Sequence, residues 1–341
     1  MRLMLAITNR CNKTCAHCCF SSSPQDNRGL SLEEMRGYID EVAAVSGKSA
    51  DGQFEVRFQG GEPFLRFDDL LETVRYAGKR GAKRIGGTTN SFWAVSLPEA
   101  RRKMNALKSA GMTNIRLSCD EFHHSLEGID PLRNAFIAAV EANVSVGLKM
   151  VVYRDSIRAA EILRLLGDVT RDIIFYIEEL SLLPVGRARE LPENMFLKCD
   201  GLPSNTWCDL LKTFVVDYEQ NVWPCCSPFR ENLLRLGNTR RESLSTLIDK
   251  AGKNSLFQVL AREGPIFFIP FLEKAGLTFP PGAYINRCHL CREMLKAADS
   301  SSTARNGLKE AVNAWENEQS RMNSVLEIVE NLLADPKRQM R

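Results

Sequence analysis

The stretch TNRCNKTCAHCCFSSSP, residues 8–24, holds four cysteines within nine positions, at Cys11, Cys15, Cys18 and Cys19. It follows a β-rich run at the N-terminus, so these thiols lie on the loop after a predicted strand. The order C-x3-C-x2-C differs from the paired C-x2-C units of most structural zinc sites. Three thiolates can hold three irons of a cubane 4Fe-4S cluster and leave the fourth iron open to another ligand. Zinc or a set of buried thiols is the alternative.

The composition is that of a globular protein with a substantial core: 341 residues, 44% of them apolar, enough for one large or two ordinary domains. No signal peptide and no run of about 20 apolar residues is present, so we expect a cytoplasmic protein with no membrane partner. Thiols stay reduced there, so 11 cysteines indicate metal ligation or catalysis rather than disulfides. The balance of 45 Lys and Arg against 42 Asp and Glu argues against a nucleic-acid partner.

Up to about residue 180, short β-rich runs alternate with amphipathic segments of helical length, which is typical of βα units on a parallel sheet. The predicted strands are residues 2–8, 55–60, 84–90, 114–119, 144–152 and 173–180. The predicted helices between them are residues 31–46, 67–80, 97–110, 129–142 and 155–166. Six such units predict an α/β fold, an open and partial (β/α)6 TIM barrel. In such folds ligands bind at the carboxyl ends of the strands.

Composition divides the chain into three predicted parts. Residues 1–195 form the partial barrel. Residues 196–295 are rich in Cys, Pro and Gly and predict a small irregular domain. Residues 296–341 carry apolar positions at helical spacing and predict terminal helices that pack on the body.

The first cysteine group resembles the signature of the radical S-adenosylmethionine (SAM) enzymes, in which an aromatic residue precedes the last cysteine; His17 occupies that place. The resemblance covers about residues 3–190. It implies a 4Fe-4S cluster on Cys11, Cys15 and Cys18 whose open iron chelates SAM. One electron from the cluster then cleaves SAM to methionine and a 5′-deoxyadenosyl radical, which abstracts hydrogen from a substrate. An electron donor such as flavodoxin or ferredoxin is implied as a partner.

Further motifs at the predicted strand ends resemble the elements that hold SAM in this family. QGGEP, residues 59–63, resembles the GGEP element, in which glycine lets the backbone approach the methionyl amine and Glu62 offers it a carboxylate. TTN at 88–90 and LSCDE at 117–121 resemble the strand ends that contact the ribose and carboxylate of SAM. LPVGRA at 183–188 resembles the segment that lies along its adenine. An ordinary turn is the alternative for GGEP, and capping of strand ends is the alternative for Asn90 and Ser118. The implied SAM-contacting residues are His17, Gly60, Gly61, Glu62, Asn90, Ser118 and Leu183.

A second group of thiols lies after residue 195, at Cys199, Cys208, Cys225, Cys226, Cys288 and Cys291. The stretch CDLLKTFVVDYEQNVWPCC, residues 208–226, resembles the extension that carries auxiliary clusters in the SPASM and twitch subgroups of the family. The resemblance implies one auxiliary 4Fe-4S cluster on Cys208, Cys225, Cys288 and Cys291, with structural zinc as the alternative.

The auxiliary-cluster pattern places a glycine five residues before its second cysteine, where this chain has Gln220. We therefore expect either a different turn or a pairing through Asn221 and Cys226, because asparagine tolerates a positive φ.

The resemblance implies modification of a ribosomally synthesised peptide by oxidation, crosslinking or epimerisation. A sugar or aminoglycoside-like small molecule is the alternative substrate, since the signature begins at residue 11 and leaves no room for an N-terminal peptide-recognition domain. A non-catalytic metal-binding protein is the third hypothesis. Candidate catalytic residues near the rim are Cys119, Cys19 and His123, each of which can also be a packing residue. Alternation along the strand predicts that Cys119 points away from SAM and is inert.

Overall fold

The computed structural model describes residues 1–48, 52–124, 128–204 and 208–334. Six parallel strands come first: β1 (Arg2–Thr8), β2 (Glu55–Gly60), β3 (Arg84–Thr89), β4 (Asn114–Ser118), β5 (Ser145–Val152) and β6 (Tyr176–Ser181). They neighbour one another in chain order, and the sheet is not closed between its outer strands. The predicted α/β partial barrel is confirmed.

The predicted start of β6 at residue 173 is wrong by three positions. Asp172 has a left-handed φ of 61°, which turns the chain before the strand, and pairing with β5 begins only where Tyr176 meets Gly147. A tyrosine ring can lie over a glycine at this pair because the glycine has no side chain. The other strand ends differ from prediction by one residue or none.

The helices between these strands are α1 (Leu32–Ser46), α2 (Phe67–Lys79), α3 (Leu97–Ala110), α4 (Asp130–Glu141) and α5 (Ala159–Leu166). At the start of α1, Ser31 accepts a hydrogen bond from the Glu34 amide at 3.1 Å and donates its own amide to the Glu34 carboxylate at 2.7 Å. This is a capping box, which satisfies amides that the first helical turn leaves free. The helices cover one face of the sheet, where alternate strand residues such as Leu3, Val56 and Leu148 are fully buried.

The region after residue 195 continues the same sheet. Its strands are β7 (Thr213–Val216), β8 (Asn221–Trp223) and β9 (Gly237–Asn238), and β7 pairs parallel with β1 from Arg2 to Leu5. The hairpin of β7 and β8 therefore places Cys208 and Cys225 toward the amino end of β1. The first cysteine loop follows the carboxyl end of β1, about 20 Å of strand away.

The remaining helices are α6 (Leu244–Gly252), α7 (Ser255–Arg262), α8 (Ile269–Lys274), α9 (Arg287–Ser300) and α10 (Ser302–Ala334). α9 carries two of the cysteines in its first two turns, and α10 packs against α7, α8 and α9. Across the described ranges no single helix is long and apolar enough to cross a membrane. One sharply bent pair of helices in the described part of the chain, 255–262 and 265–274, matches such a span by length and composition alone.

Candidate active site

The loop after β1 is held by its own hydrogen bonds. The Cys11 amide donates to the Ser23 carbonyl at 3.0 Å. Asn9, fully buried beneath the loop, donates to the Asp26 carboxylate at 2.7 Å and accepts from the Ser22 hydroxyl at 2.8 Å. These bonds fold residues 9–26 back on themselves, so that the thiols stand at the carboxyl rim of the sheet.

The thiols of Cys11, Cys15 and Cys18 are unbridged and close enough to interact electrostatically. Burial, together with the negative charge that Cys18 and Cys11 would carry, raises the pKa of Cys15 to about 11. Three neighbouring thiolates therefore need a cationic partner to be stable.

Gly60 and Gly61 pack against the backbone at the start of the cysteine loop. A Cβ on Gly60 would lie 2.2 Å from the Thr8 carbonyl oxygen, and one on Gly61 would lie 2.1 Å from that of Arg10. The Gly61 amide donates to the Thr8 carbonyl at 2.7 Å. The structure thus adds a requirement that the motif did not reveal: these glycines let β2 dock against the loop that carries the thiols.

Glu62 is 1% exposed and sits at the centre of a network of donors. Its carboxylate accepts the Thr89 hydroxyl at 2.9 Å and the amides of Asn90 and Phe64 at 2.7 and 3.1 Å. Burial raises its pKa to about 7 against these hydrogen bonds. Oε1 accepts both the Phe64 and the Thr89 bond, whereas Oε2 accepts only the Asn90 amide and has a lone pair left, so Glu62 is a suitable partner for an ammonium group at the rim.

His17 and His123 meet at Asp120. The His17 ring stacks on Phe122 at 4.5 Å and meets His123 edge-on at 4.8 Å, while Nδ1 of His123 lies 2.7 Å from the Asp120 carboxylate. Burial lowers the pKa of His17 to about 4, so its ring is neutral. Its buried Nδ1 has no hydrogen-bond partner among the residues placed by the structure, and is free to bond a bound group. Asp120 was not singled out from the sequence, although it lies in the LSCDE motif.

The segment after β6 locks the first cysteine loop. Gly186 has a left-handed φ of 60°, and a Cβ there would lie 2.3 Å from the Cys18 carbonyl oxygen. Arg187 donates its amide to the same carbonyl at 3.1 Å and its Nε to the Cys15 carbonyl at 3.0 Å. The sequence predicted that this segment lies along adenine and did not predict its contact with the cysteine loop. The Gly-Arg pair in LPVGRA was the signal for that contact, because the glycine permits close approach and the arginine supplies donors.

Five distal thiols line one cavity of about 210 Å³, whose surface is otherwise largely apolar: Cys208, Cys225, Cys226, Cys288 and Cys291. Burial raises the pKa of Cys225 to about 12 and that of Cys288 to about 11. Cys226 is the exposed member of the set. Cys199 is not part of the lining; its thiol donates to the Gly201 carbonyl at 3.1 Å.

The expectation of a different turn at Gln220 is wrong, while the choice between Cys225 and Cys226 stays a prediction. Gln220 itself adopts a left-handed φ of 68°, as a glycine would, and Asn221 already lies in β8. The turn is held by Asp217, whose carboxylate accepts the amides of Glu219 and Asn221 at 2.9 and 3.0 Å and the Trp223 indole N–H at 2.9 Å. Gln220 also donates its side-chain amide to Glu34 on α1.

The model of the radical SAM superfamily matches residues 5–181, more than half of the chain. The chain belongs to the radical SAM superfamily. It is therefore an enzyme that uses a 4Fe-4S cluster and SAM and needs a substrate and a reductant.

Relatives of this radical SAM enzyme include YydG of Bacillus subtilis (strain 168), a protein named for peptide biosynthesis. The two are 25% identical over 310 residues, covering 86% of this chain and 91% of YydG. A GTP 3′,8-cyclase of Clostridium botulinum is 25% identical over 207 residues, and the match spans 59% of this chain and 62% of the cyclase. The solved structure of Escherichia coli coproporphyrinogen III oxidase is 12% identical and covers 60% of this chain and 48% of its own, with a TM-score of 0.39, too low to carry an argument.

The candidate catalytic residues of this radical SAM enzyme lie in different surroundings. Cys119 is 1% exposed, its thiol lies 3.4 Å from the Lys149 carbonyl, and it belongs to the core shared with the helices. Burial raises its pKa to about 12 and that of Cys19 to about 11. His123 is bound to Asp120 beside His17. Ser118 and Asn90 are buried at the rim, whereas Leu183 packs with a small cluster around Leu182.

Proposed function

We propose that this radical SAM enzyme modifies a peptide and carries one auxiliary 4Fe-4S cluster. The observation that carries the proposal is the length of chain over which the protein is similar to YydG. It covers 86% of the chain and so extends well past residue 181, into the part that holds the second cysteine group. The match to the GTP 3′,8-cyclase covers less of both proteins.

In the first site the residues present fit the group that the family requires. Cys11, Cys15 and Cys18 would hold the cluster, and Glu62 would accept the ammonium of SAM. The neutral ring of His17 offers a flat face and a free nitrogen to adenine; Gly60, Gly61, Asn90, Ser118 and Leu183 complete the proposed SAM site. When bound, cluster and SAM supply a 5′-deoxyadenosyl radical that takes a hydrogen atom from the substrate.

In the second site we assign Cys208, Cys225, Cys288 and Cys291 as ligands and leave Cys226 free. The left-handed turn at Gln220 supports this choice, because it keeps Cys225 at the spacing of the auxiliary-cluster pattern. All four line the same cavity. An auxiliary cluster can accept the electron left on a substrate radical, which gives oxidation or a crosslink. A thiol that returns a hydrogen atom gives epimerisation instead.

Anaerobically reconstituted protein tests the cofactors. We expect about eight irons per chain, two electron paramagnetic resonance signals, and a change in one of them on adding SAM. A diamagnetic zinc protein would reject the assignment. Four irons with a SAM-sensitive signal would keep the radical SAM assignment and remove the auxiliary cluster.

The substrate class is tested with short peptides encoded beside the gene, supplied as synthetic peptides with SAM and a reductant in D2O. Loss of two hydrogens would indicate oxidation or a crosslink, and gain of one deuterium would indicate epimerisation. GTP is the comparison substrate because of the similarity to GTP 3′,8-cyclases. Turnover of GTP with no peptide modified would overturn the peptide proposal.

A further inference from the structure

The concave face of the sheet carries charged side chains where the opposite face carries the apolar core. Val56 and Phe58 on β2 and Leu117 on β4 are buried against the helices. Because side chains alternate along a strand, Arg57 and Arg116 point to the other face, into the open half-barrel. Both lie at mid-strand, below the rim that holds the first cysteine loop.

The two arginines converge near Tyr176 on β6. Arg116 donates Nε to the Tyr176 hydroxyl at 2.9 Å. The Tyr176 ring lies over Gly147, where a Cβ would come within 2.2 Å of its Cζ. Arg57 lies on β2, with β3 between it and β4. It is near enough to Arg116 and Tyr176 for their charges to affect its pKa. The guanidinium groups therefore face one shared space although their strands are not neighbours.

Each of the two arginines has one carboxylate within 4.0 Å, but at 3.6 and 3.8 Å both pairs are longer than a hydrogen bond. Glu55 lies 3.6 Å from Arg57 but binds Arg2 more closely, at 3.0 Å, and also faces Arg84 at 3.9 Å. Asp209 pairs with Arg2 at 2.9 Å. Glu178 lies 3.8 Å from Arg116.

Arg57 is the least compensated of these cations. Its side chain is only 14% exposed, and within the described ranges Glu55 is its sole ion-pair partner. Burial and the neighbouring Arg116 and Arg2 lower its pKa to about 10. Holding a buried guanidinium beside another of the same charge is costly unless an anion joins them.

We propose that Arg57 and Arg116 bind an anionic group of the substrate, a carboxylate or a phosphate, inside the half-barrel. The inference rests on the proposed function, and for a peptide substrate it specifies an acidic side chain or a terminal carboxylate close to the reacting residue. Guanidinium groups hold such oxyanions with two parallel hydrogen bonds, and Tyr176 fixes the orientation of Arg116.

Binding of small probes to the reconstituted holoenzyme with SAM tests the inference without any turnover. The probes are acetyl-Ala-Ala-Glu-Ala-Ala-amide, its Gln counterpart, acetyl-pentaalanine with a free carboxylate, and inorganic pyrophosphate. The clusters are kept oxidised so that SAM is not cleaved, and line broadening of the probe resonances on exchange with the much larger protein reports binding. We expect the Glu peptide to bind about tenfold or more tightly than the Gln peptide, and Arg57→Gln and Arg116→Gln to remove that preference.

Arg101→Gln is the matched control, because Arg101 pairs with Glu141 on the outer surface and should leave binding unchanged. Arg116→Lys keeps the charge but not the paired donors and should restore part of the preference. If Arg57→Gln does not fold, the two Arg116 variants decide. Alternatively, the free-carboxylate peptide or pyrophosphate binds more tightly than the Gln peptide, and this difference is lost in the same Arg variants. That result would support the site and identify which kind of anion it binds.

Equal binding of the charged and neutral probes, or a preference that survives in folded Arg116→Gln, would overturn the proposal. Failure of the proposed function is seen separately, as unmodified peptide or absent 5′-deoxyadenosine, because probe binding requires no chemistry.

Discussion

The two cysteine groups lie at opposite ends of β1 and are built differently. The first is one short loop held by two other segments. Gly60 and Gly61 pack against its start, and Gly186 and Arg187 contact its end. The second gathers thiols from three distant segments around a cavity of about 210 Å³, and two of them arrive on α9. The first site is thus shaped by backbone contacts along one loop, whereas the second depends on the docking of α9. Four predictions test this difference between the two sites.

The largest effect is expected at the first group. Replacing Cys11, Cys15 and Cys18 together by Ala should abolish formation of 5′-deoxyadenosine, because no thiolate remains to hold the cluster. Chromatography of reactions with SAM and a reductant measures the product. The second group should keep its own iron in this variant, about four per chain. Retained 5′-deoxyadenosine would contradict the role of these residues.

The second expected effect separates the two groups. Cys288→Ala should lower the iron content by up to about four per chain and abolish modified peptide, while some 5′-deoxyadenosine still forms at the intact first site. Cys199→Ala is the control, because Cys199 lies outside the cavity lining. Unchanged iron and unchanged product in Cys288→Ala would exclude Cys288 as a ligand.

Sequence reasoning located the first site better than the second because its signals are local. The thiols, GGEP and the strand ends all lie within a few residues of predicted elements, and the bounds of β1 and β2 were predicted exactly as observed. The pairing of β7 with β1 joins residues more than 200 positions apart, and no local pattern specifies which sheet edge a short apolar strand chooses. The bond from Arg187 to Cys15 is equally remote in sequence.

The third substitution tests the clamp on the first loop. In Gly186→Ala a Cβ would lie 2.3 Å from the Cys18 carbonyl oxygen, in addition to the cost of a left-handed alanine, about 1 kcal/mol. Gly81→Ala is the control, since Gly81 also has a positive φ, of 83°, and open space around it. We expect both variants to lose stability in urea, but only Gly186→Ala to lose iron and the SAM-sensitive resonance signal. Equal iron retention would show that the contact is not required.

The smallest expected effect concerns the turn that sets Cys225. Gln220 combines an unfavourable left-handed backbone with a hydrogen bond to Glu34, so Gln220→Gly changes two quantities at once. Gln220→Ala removes the hydrogen bond and keeps the backbone cost. The difference in stability between the two variants therefore measures the backbone cost alone. We expect the free energy of unfolding of Gln220→Gly to exceed that of Gln220→Ala by about 1 kcal/mol. Urea unfolding of the apoprotein measures it, with iron retention after reconstitution as a second reading. If Ala equals Gly in stability, the turn has relaxed to a different backbone. Iron retention in the Ala variant would then show whether the second site needs the left-handed turn at all.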